Sequence, residues 1–129
     1  MKALVPFMTG VLVLAAPSVC LADFIGNRAQ WDALNANAKA SYITGAYDGV
    51  NIRYFDDSRD IQAIKAGREA CVIARKIGTD GLARLVDEGY ASDSSRSSLP
   101  PYAVLMSQLS KMCAEDIQAE WAKLGLPTG

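Results

Sequence analysis

The first 22 residues constrain this chain most, because they decide which part of it folds and in which compartment. Lys2 precedes an apolar run over residues 3–16, and a short segment then leads to Ala22, just before the first acidic residue, Asp23. A positive charge, an apolar core and a small residue before the cut are typical of a secretory signal peptide. We therefore expect cleavage after Ala22, export to the periplasm and a single domain formed by residues 23–129.

A lipoprotein is the alternative interpretation of this leader. Cys20 would then carry the lipid and become the mature N-terminus. That processing normally requires a small residue before the cysteine, whereas this chain has Val19. A membrane-spanning anchor needs about 20 apolar residues, and this run is shorter and contains Pro6 and Gly10. We therefore expect the mature protein to have no stable membrane anchor.

The composition argues against several kinds of partner and of chemistry. The formal net charge is −1, which becomes −2 when Lys2 is removed, and the chain has no basic run. We therefore expect neither nucleic acid nor an anionic membrane surface as a partner. Histidine is absent from the sequence, so the usual general base and the commonest metal ligand are missing. The sequence predicts a protein that is not an enzyme and that carries no metal and no cofactor.

The cysteines remaining after cleavage are Cys71 and Cys113. Cysteines of exported proteins commonly pair, because the compartment is oxidising. A bond between these two residues would stabilise the fold by about 4 kcal/mol in the chain-entropy model. It would also remove the only candidate thiolate nucleophiles of the mature chain. The alternative is two separate buried thiols.

Apolar residues at helical spacing predict an all-α fold, a small bundle of four or five helices with one disulfide. A short helix is expected over residues 27–34, and either Asn35 or Asn37 suits the N-cap of a longer second helix. Ser58 suits the N-cap of a third segment. Residues 71–74 within that segment fit an extended strand as well as a helix, because the apolar run is short.

Two glycines lie inside the predicted second helix, whose apolar stripe is expected to extend to Tyr54. Gly45 and Gly49 are four residues apart. Each costs about 1 kcal/mol relative to alanine in a helix interior. Either a close approach of another helix or a bend would account for both residues.

The C-terminal half predicts two further helices separated by a loop. The fourth helix is expected to begin near Thr79 and to stop at Gly89. Residues 91–101 read ASDSSRSSLPP, which is typical of a surface loop. Pro101 suits the first turn of the last helix. That helix is expected to continue without a break through Trp121.

Two polar loops are the candidate binding sites, because exposed loops on a rigid scaffold often carry recognition. They are residues 55–59 and 92–99. The first has alternating carboxylates but lacks the central glycine and distal glutamate of a calcium loop, so we expect no metal site there. The predicted contact residues are Asp56, Asp57, Arg59, Ser94 and Arg96.

Two stretches resemble a known family. The first, residues 39–49, contains the pattern Tyr-Ile-x-Gly-x-x-Asp, and the second begins at Cys71 and closes at Cys113. The positions that carry the second pattern are Thr79, Leu82, Leu85, Val86, Tyr90, Pro100, Leu105 and Leu109. In this order they resemble the Rap/Tai family of type VI secretion immunity proteins. Many family members have a further cysteine just before the first pattern, where this chain has Ala40 and Ser41.

The resemblance implies a small exported all-α protein that binds and blocks a peptidoglycan amidase toxin in the periplasm. It also implies that the protein forms a homodimer, as such proteins often do. A different hypothesis is an accessory or structural protein of the cell envelope that has no toxin partner. The genes beside its own would separate the two hypotheses, since immunity genes lie next to toxin genes.

Overall fold

The computed structural model describes residues 24–127, which form six α-helices and one short 3-10 helix. The expected signal peptide, including Cys20 and the cleavage site, lies outside the described residues. The α-helices are Arg28–Asp32 (α1), Ala36–Asn51 (α2), Arg59–Ala74 (α3), Thr79–Ser92 (α4), Pro101–Met112 (α5) and Ala114–Lys123 (α6). The 3-10 helix is Ser94–Ser98. The prediction of an all-α bundle with a Cys71–Cys113 disulfide is confirmed.

The first two helices begin at asparagine caps. The Asn27 side chain accepts a hydrogen bond from the Gln30 N–H at 3.0 Å. Asn35, rather than Asn37, caps α2, and its Oδ1 accepts from the Ala38 N–H at 2.9 Å. Such bonds satisfy backbone donors that a helix cannot pair internally. They explain why α1 and α2 begin where they do.

Helix α3 is continuous through Ala74, so residues 71–74 are helical rather than extended. It ends where Lys76 takes a positive φ of 53°. The Ile77 N–H then donates to the Val72 carbonyl at 3.0 Å. This closure is typical of a Schellman motif. Gly78 occupies the N-cap position of the next helix, which begins at Thr79 as predicted.

The close approaches between helices occur at Gly67 and Gly89. A Cβ at Gly67 would lie 2.4 Å from the Ile117 Cα, and one at Gly89 would lie 2.4 Å from the Val104 Cγ1. The predicted end of α4 at Gly89 is therefore wrong, because this glycine packs against α5 and the helix continues to Ser92. Within residues 24–127, no atom outside the glycine's own stretch of helix lies within 4 Å of a Cβ built at Gly45 or Gly49. A close approach is therefore the wrong explanation for those two residues.

The expected last helix is two helices, and the break between them is at Cys113. Helix α5 begins with Pro101, as predicted, and ends at Met112, while α6 begins at Ala114. Cys113 is fully buried and bonded to Cys71, with the two Cα atoms 5.5 Å apart. The division of this one element raises the number of helices to six.

The expected loop at residues 91–101 is more ordered than its serine content indicated. Its first two residues extend α4, and residues 94–98 form the 3-10 helix. Asp93 caps that helix, since its Oδ1 accepts from the Ser95 N–H at 3.0 Å. The hydrogen bond from the Ser95 hydroxyl, at 2.6 Å, and the one from the Ser95 N–H lower the pKa of the Asp93 carboxyl.

The core lies where α2, α4 and α5 meet, with α3 and α6 packed together beside it. Trp31 of α1 is fully buried, and its Nε1–H donates to Asp87 Oδ1 at 2.7 Å. The largest other side chains without exposure are Ile43, Val86, Val104, Leu105 and Leu109. Within residues 24–127, no helix combines the length and apolar character that crossing a membrane would require.

Candidate functional site

The loop that joins α2 to α3, residues 52–58, carries three exposed apolar side chains. Phe55 is exposed over 107% of its reference area, Tyr54 over 56% and Ile52 over 50%. Tyr54 had been expected to extend the apolar stripe of α2, but α2 ends at Asn51 and Tyr54 lies beyond it. A signal for this site was present in the sequence: a β-branched residue and two aromatic residues directly before the Asp56-Asp57 turn.

The side chain of Lys65, on α3, fixes the conformation of this loop. Its side chain is almost completely buried. The Nζ donates to the Ile52 carbonyl at 2.6 Å and to Asp57 Oδ2 at 2.7 Å. The same nitrogen lies 5.0 Å from the centroid of the Tyr54 ring, within the range of a cation–π interaction. One buried ammonium group therefore contacts the beginning, the middle and the end of the loop.

Asp57 completes this arrangement. Its Oδ2 also accepts from the Tyr54 N–H at 2.9 Å, and its backbone carbonyl accepts from Gln62 Nε2 at 2.7 Å. The hydrogen bonds from Lys65 and from the Tyr54 backbone lower the pKa of the Asp57 carboxyl. The carboxylate is therefore ionised at neutral pH, and it accepts hydrogen bonds from within the protein. The loop is held by bonds that leave its apolar side chains pointing to solvent.

The five predicted contact residues have different roles in the structure. Asp56 is exposed on the 52–58 loop, and Asp57 holds that loop together. The Arg59 guanidinium donates to the Leu124 carbonyl after α6. Ser94 is exposed on the 3-10 helix. Arg96 donates to Gln108 Oε1 at 3.1 Å and is only partly exposed, so its side chain ties the 3-10 helix to α5.

The two loops lie against different helices. The 52–58 loop contacts α3 through Lys65, whereas the 3-10 helix contacts α1, α4 and α5. The structure therefore does not combine the predicted contact residues into one site. Of the two surfaces, only the 52–58 loop presents large apolar side chains together.

Two carboxylates outside the loops, Asp87 and Asp116, join neighbouring helices. Asp87 accepts from Trp31 Nε1 and from Lys39 Nζ, the latter at 2.9 Å. Asp116 of α6 pairs with Arg75 of α3 at 3.0 Å. In the part of the chain that the structure describes, no group of three or more Cys, Asp or Glu side chains is arranged to hold a metal ion.

A second apolar surface is a shallow groove between residues 24–26, α2 and α5, with a volume of about 530 Å³. Phe24 and Tyr102 flank it, and Gly49 lies along it. The groove adjoins Phe24, where the described part of the chain begins. The 52–58 loop presents its apolar side chains on a hydrogen-bonded backbone and is the better defined surface.

Comparison with known proteins does not assign a function to this loop. No protein-family model, curated protein or solved structure matches the chain. The features that bear on function are the 52–58 loop, the disulfide and the sequence patterns that resemble the Rap/Tai family.

Proposed function

We propose that this protein is an exported binding protein that occupies a cleft in a protein partner, and that the partner is a periplasmic cell-wall amidase toxin. The observation that carries the binding role is the 52–58 loop. Three apolar side chains face solvent there although the loop backbone is bonded to a buried lysine. A single exposed apolar residue is ordinary, but adjacent ones held in one conformation are typical of interaction sites.

The scaffold supports a binding role because the loop leads directly into a helix that is covalently fixed to another part of the fold. Helix α3 follows the loop directly, and the Cys71–Cys113 bond fixes this helix to the start of α6. Association is weakened when a loop must be ordered on binding. A loop that is ordered beforehand avoids much of that loss, which suits an inhibitor that must bind tightly.

Export and the class of partner are supported by the disulfide and by the resemblance. Disulfides persist mainly in oxidising compartments, so the Cys71–Cys113 bond favours a periplasmic protein. The patterns beginning at Tyr42 and at Cys71 resemble immunity proteins that block peptidoglycan amidases. The amidase is therefore the partner that we propose to test first, and homodimer formation is part of the same proposal.

The test is a capture experiment followed by an inhibition assay. Residues 23–129, with the disulfide intact, are immobilised and exposed to periplasmic extract under non-reducing conditions, and retained proteins are identified by mass spectrometry. The retained hydrolase is then purified, and its release of peptidoglycan fragments is measured with and without an equimolar amount of the domain. We expect one hydrolase, retained in stoichiometric amount and inhibited.

Two results would overturn this proposal. If no hydrolase is retained, the domain does not act as an immunity protein, and the accessory role in the envelope becomes the working hypothesis. If a hydrolase is retained but keeps its full activity, the protein binds without inhibiting. A chromatographic mass of residues 23–129 tests the homodimer separately.

A further inference from the structure

Phe55 is the most exposed large apolar side chain in the described part of the chain. Its exposed area exceeds the reference value for the residue, so the protein covers none of the ring. We propose that the Phe55 ring is the anchor that fills an apolar pocket in a folded protein partner, and that Lys65 positions it. This inference rests on the proposed function, because it names the residue through which that binding occurs.

The shape of the loop determines the shape of the partner. Phe55 lies at the tip of the 52–58 loop, with Tyr54 and Ile52 beside it and also exposed. A flat surface would touch only the edge of a ring that projects in this way, whereas a concave pocket can surround it. Residues that dominate binding are commonly aromatic, and they insert into closely fitting pockets near the centre of an interface.

Several backbone groups of the loop are already hydrogen-bonded within the protein. The Ile52 carbonyl accepts from Lys65, the Tyr54 N–H donates to Asp57, and the Tyr54 carbonyl accepts from the Asp57 N–H. A partner that covers these groups therefore has no hydrogen bond to supply to them. Burying unpaired backbone groups would oppose binding, and the loop avoids that penalty at these positions. Lys65 therefore acts as a positioning residue without touching the partner.

The charges around the ring favour a protein over a membrane. Arg53 pairs with Glu69 at 2.5 Å, and Lys65 pairs with Asp57 at 2.7 Å. These two pairs neutralise the other charged groups of the loop, so its remaining charge is the exposed carboxylate of Asp56. Anionic membranes attract loops with excess lysine and arginine, and this loop has the opposite sign. We therefore assign to the partner a pocket whose rim carries basic groups or N–H donors facing Asp56.

The experiment measures the affinity of full-length mature variants for the hydrolase that the wild-type domain retains. Phe55→Ala removes the anchor, and Ile73→Ala is the matched control. Ile73 is 68% exposed on α3, about 20 Å along the helix from the loop. Neither change removes a buried side chain, so both variants should keep the wild-type melting temperature. Vesicles of phosphatidylglycerol and phosphatidylethanolamine serve as the membrane probe in a sedimentation assay.

We expect Phe55→Ala to weaken binding by about 10- to 100-fold, and Ile73→Ala to leave it unchanged. Equal affinity of Phe55→Ala and wild type would refute the anchor while leaving the proposed function intact. If the wild-type domain binds no hydrolase, both proposals fail together. If the wild-type domain sediments with the vesicles and Phe55→Ala does not, the proposed protein pocket is refuted and Phe55 binds a membrane instead.

Lys65→Met tests the positioning role separately. This variant keeps the Phe55 side chain but removes the donor to Ile52 and Asp57. We expect weaker binding together with faster hydrogen exchange at the Tyr54 amide, because both report on a loosened loop. Wild-type affinity in Lys65→Met would show that the loop conformation does not matter for binding. Lys65→Arg should retain part of the affinity that Lys65→Met loses, since a guanidinium can also donate to the Ile52 carbonyl and to Asp57.

Discussion

Replacing Gly67 with alanine tests the packing of α3 against α6, the largest contact between two helices of this bundle. A Cβ at this position would lie 2.4 Å from the Ile117 Cα and 2.7 Å from its nitrogen. Non-bonded carbon atoms prefer about 3.5 to 4.0 Å. The helix axes would have to separate by about 1 Å to accept one methyl group.

The disulfide makes that separation difficult. Cys71 lies one turn after Gly67 on α3, and Cys113 lies one turn before Ile117 on α6. The bond between them therefore holds the two helices together beside the point where the methyl group would be inserted. Overpacking a core costs about 1 to 3 kcal/mol, and the upper part of this range, about 2 to 3 kcal/mol, applies here because the methyl group would meet backbone atoms of Ile117. The better helix propensity of alanine recovers about 1 kcal/mol. We expect Gly67→Ala to lower the free energy of unfolding by about 1 to 2 kcal/mol.

Gly45→Ala is the matched control, because it makes the same chemical change on an exposed helical face. In the described part of the chain, no atom beyond the adjoining turns of α2 lies within 4 Å of a Cβ at Gly45. This variant should therefore gain about 0.5 to 1 kcal/mol from helix propensity alone. In a domain of this size each 1 kcal/mol shifts the melting temperature by about 4 to 8 °C. The two variants should melt on opposite sides of the wild type.

The assay is urea and thermal denaturation followed by circular dichroism, under oxidising conditions. Gly67→Ala equal to the wild type, or more stable than it, would show that α3 and α6 do not approach as closely as the structure indicates. A loss in Gly45→Ala would show instead that the exposed face of α2 is covered in solution, for example by a second copy of the chain. The pair of variants thus separates packing within the monomer from packing between molecules.

Three further predictions concern the disulfide, a buried tyrosine and a buried tryptophan. Changing both Cys71 and Cys113 to serine should lower stability by about 2 to 5 kcal/mol, and a melting temperature that is insensitive to reductant would contradict the pairing. Burial raises the pKa of Tyr90 to about 12, so the folded state holds this proton more tightly than the unfolded state. The resulting stability is present below pH 10 and should fall as the pH rises from 10 towards 12, less steeply in Tyr90→Phe. Trp31→Phe should cost at least about 2 kcal/mol in denaturant melts, since it removes the bond to Asp87 and leaves a cavity; an unchanged midpoint would argue that Trp31 is not buried.

The helices were largely predictable because their signals are local. Asn35 caps α2 through a residue three positions away, and Pro101 begins α5 as its fixed backbone angle favours. The break at Cys113 was not predictable in this way. The apolar stripe continues through it, and the interruption coincides with a bond to Cys71 on a different helix.

The roles of the glycines show the same limit. Gly45, Gly49, Gly67 and Gly89 all lie within helices, and their local sequences do not distinguish them. Gly67 and Gly89 face neighbouring helices, whereas Gly45 and Gly49 have open space beside them. The partner of Gly67 is Ile117, which is distant in sequence. Only the packed arrangement of helices decides which glycine is required by a contact.

In the 52–58 loop, the polar residues that predicted a binding site have a structural role. Asp57 was expected to contact a partner, but its carboxylate is used by Lys65 and by the Tyr54 N–H. Without that carboxylate, the buried ammonium would lack a counter-ion, and without the ammonium the loop would lose its main tie to α3. The polar residues thus fix the conformation, and the apolar residues between them are left exposed. On this reasoning Phe55, rather than its acidic neighbours, is the residue whose removal should most weaken binding.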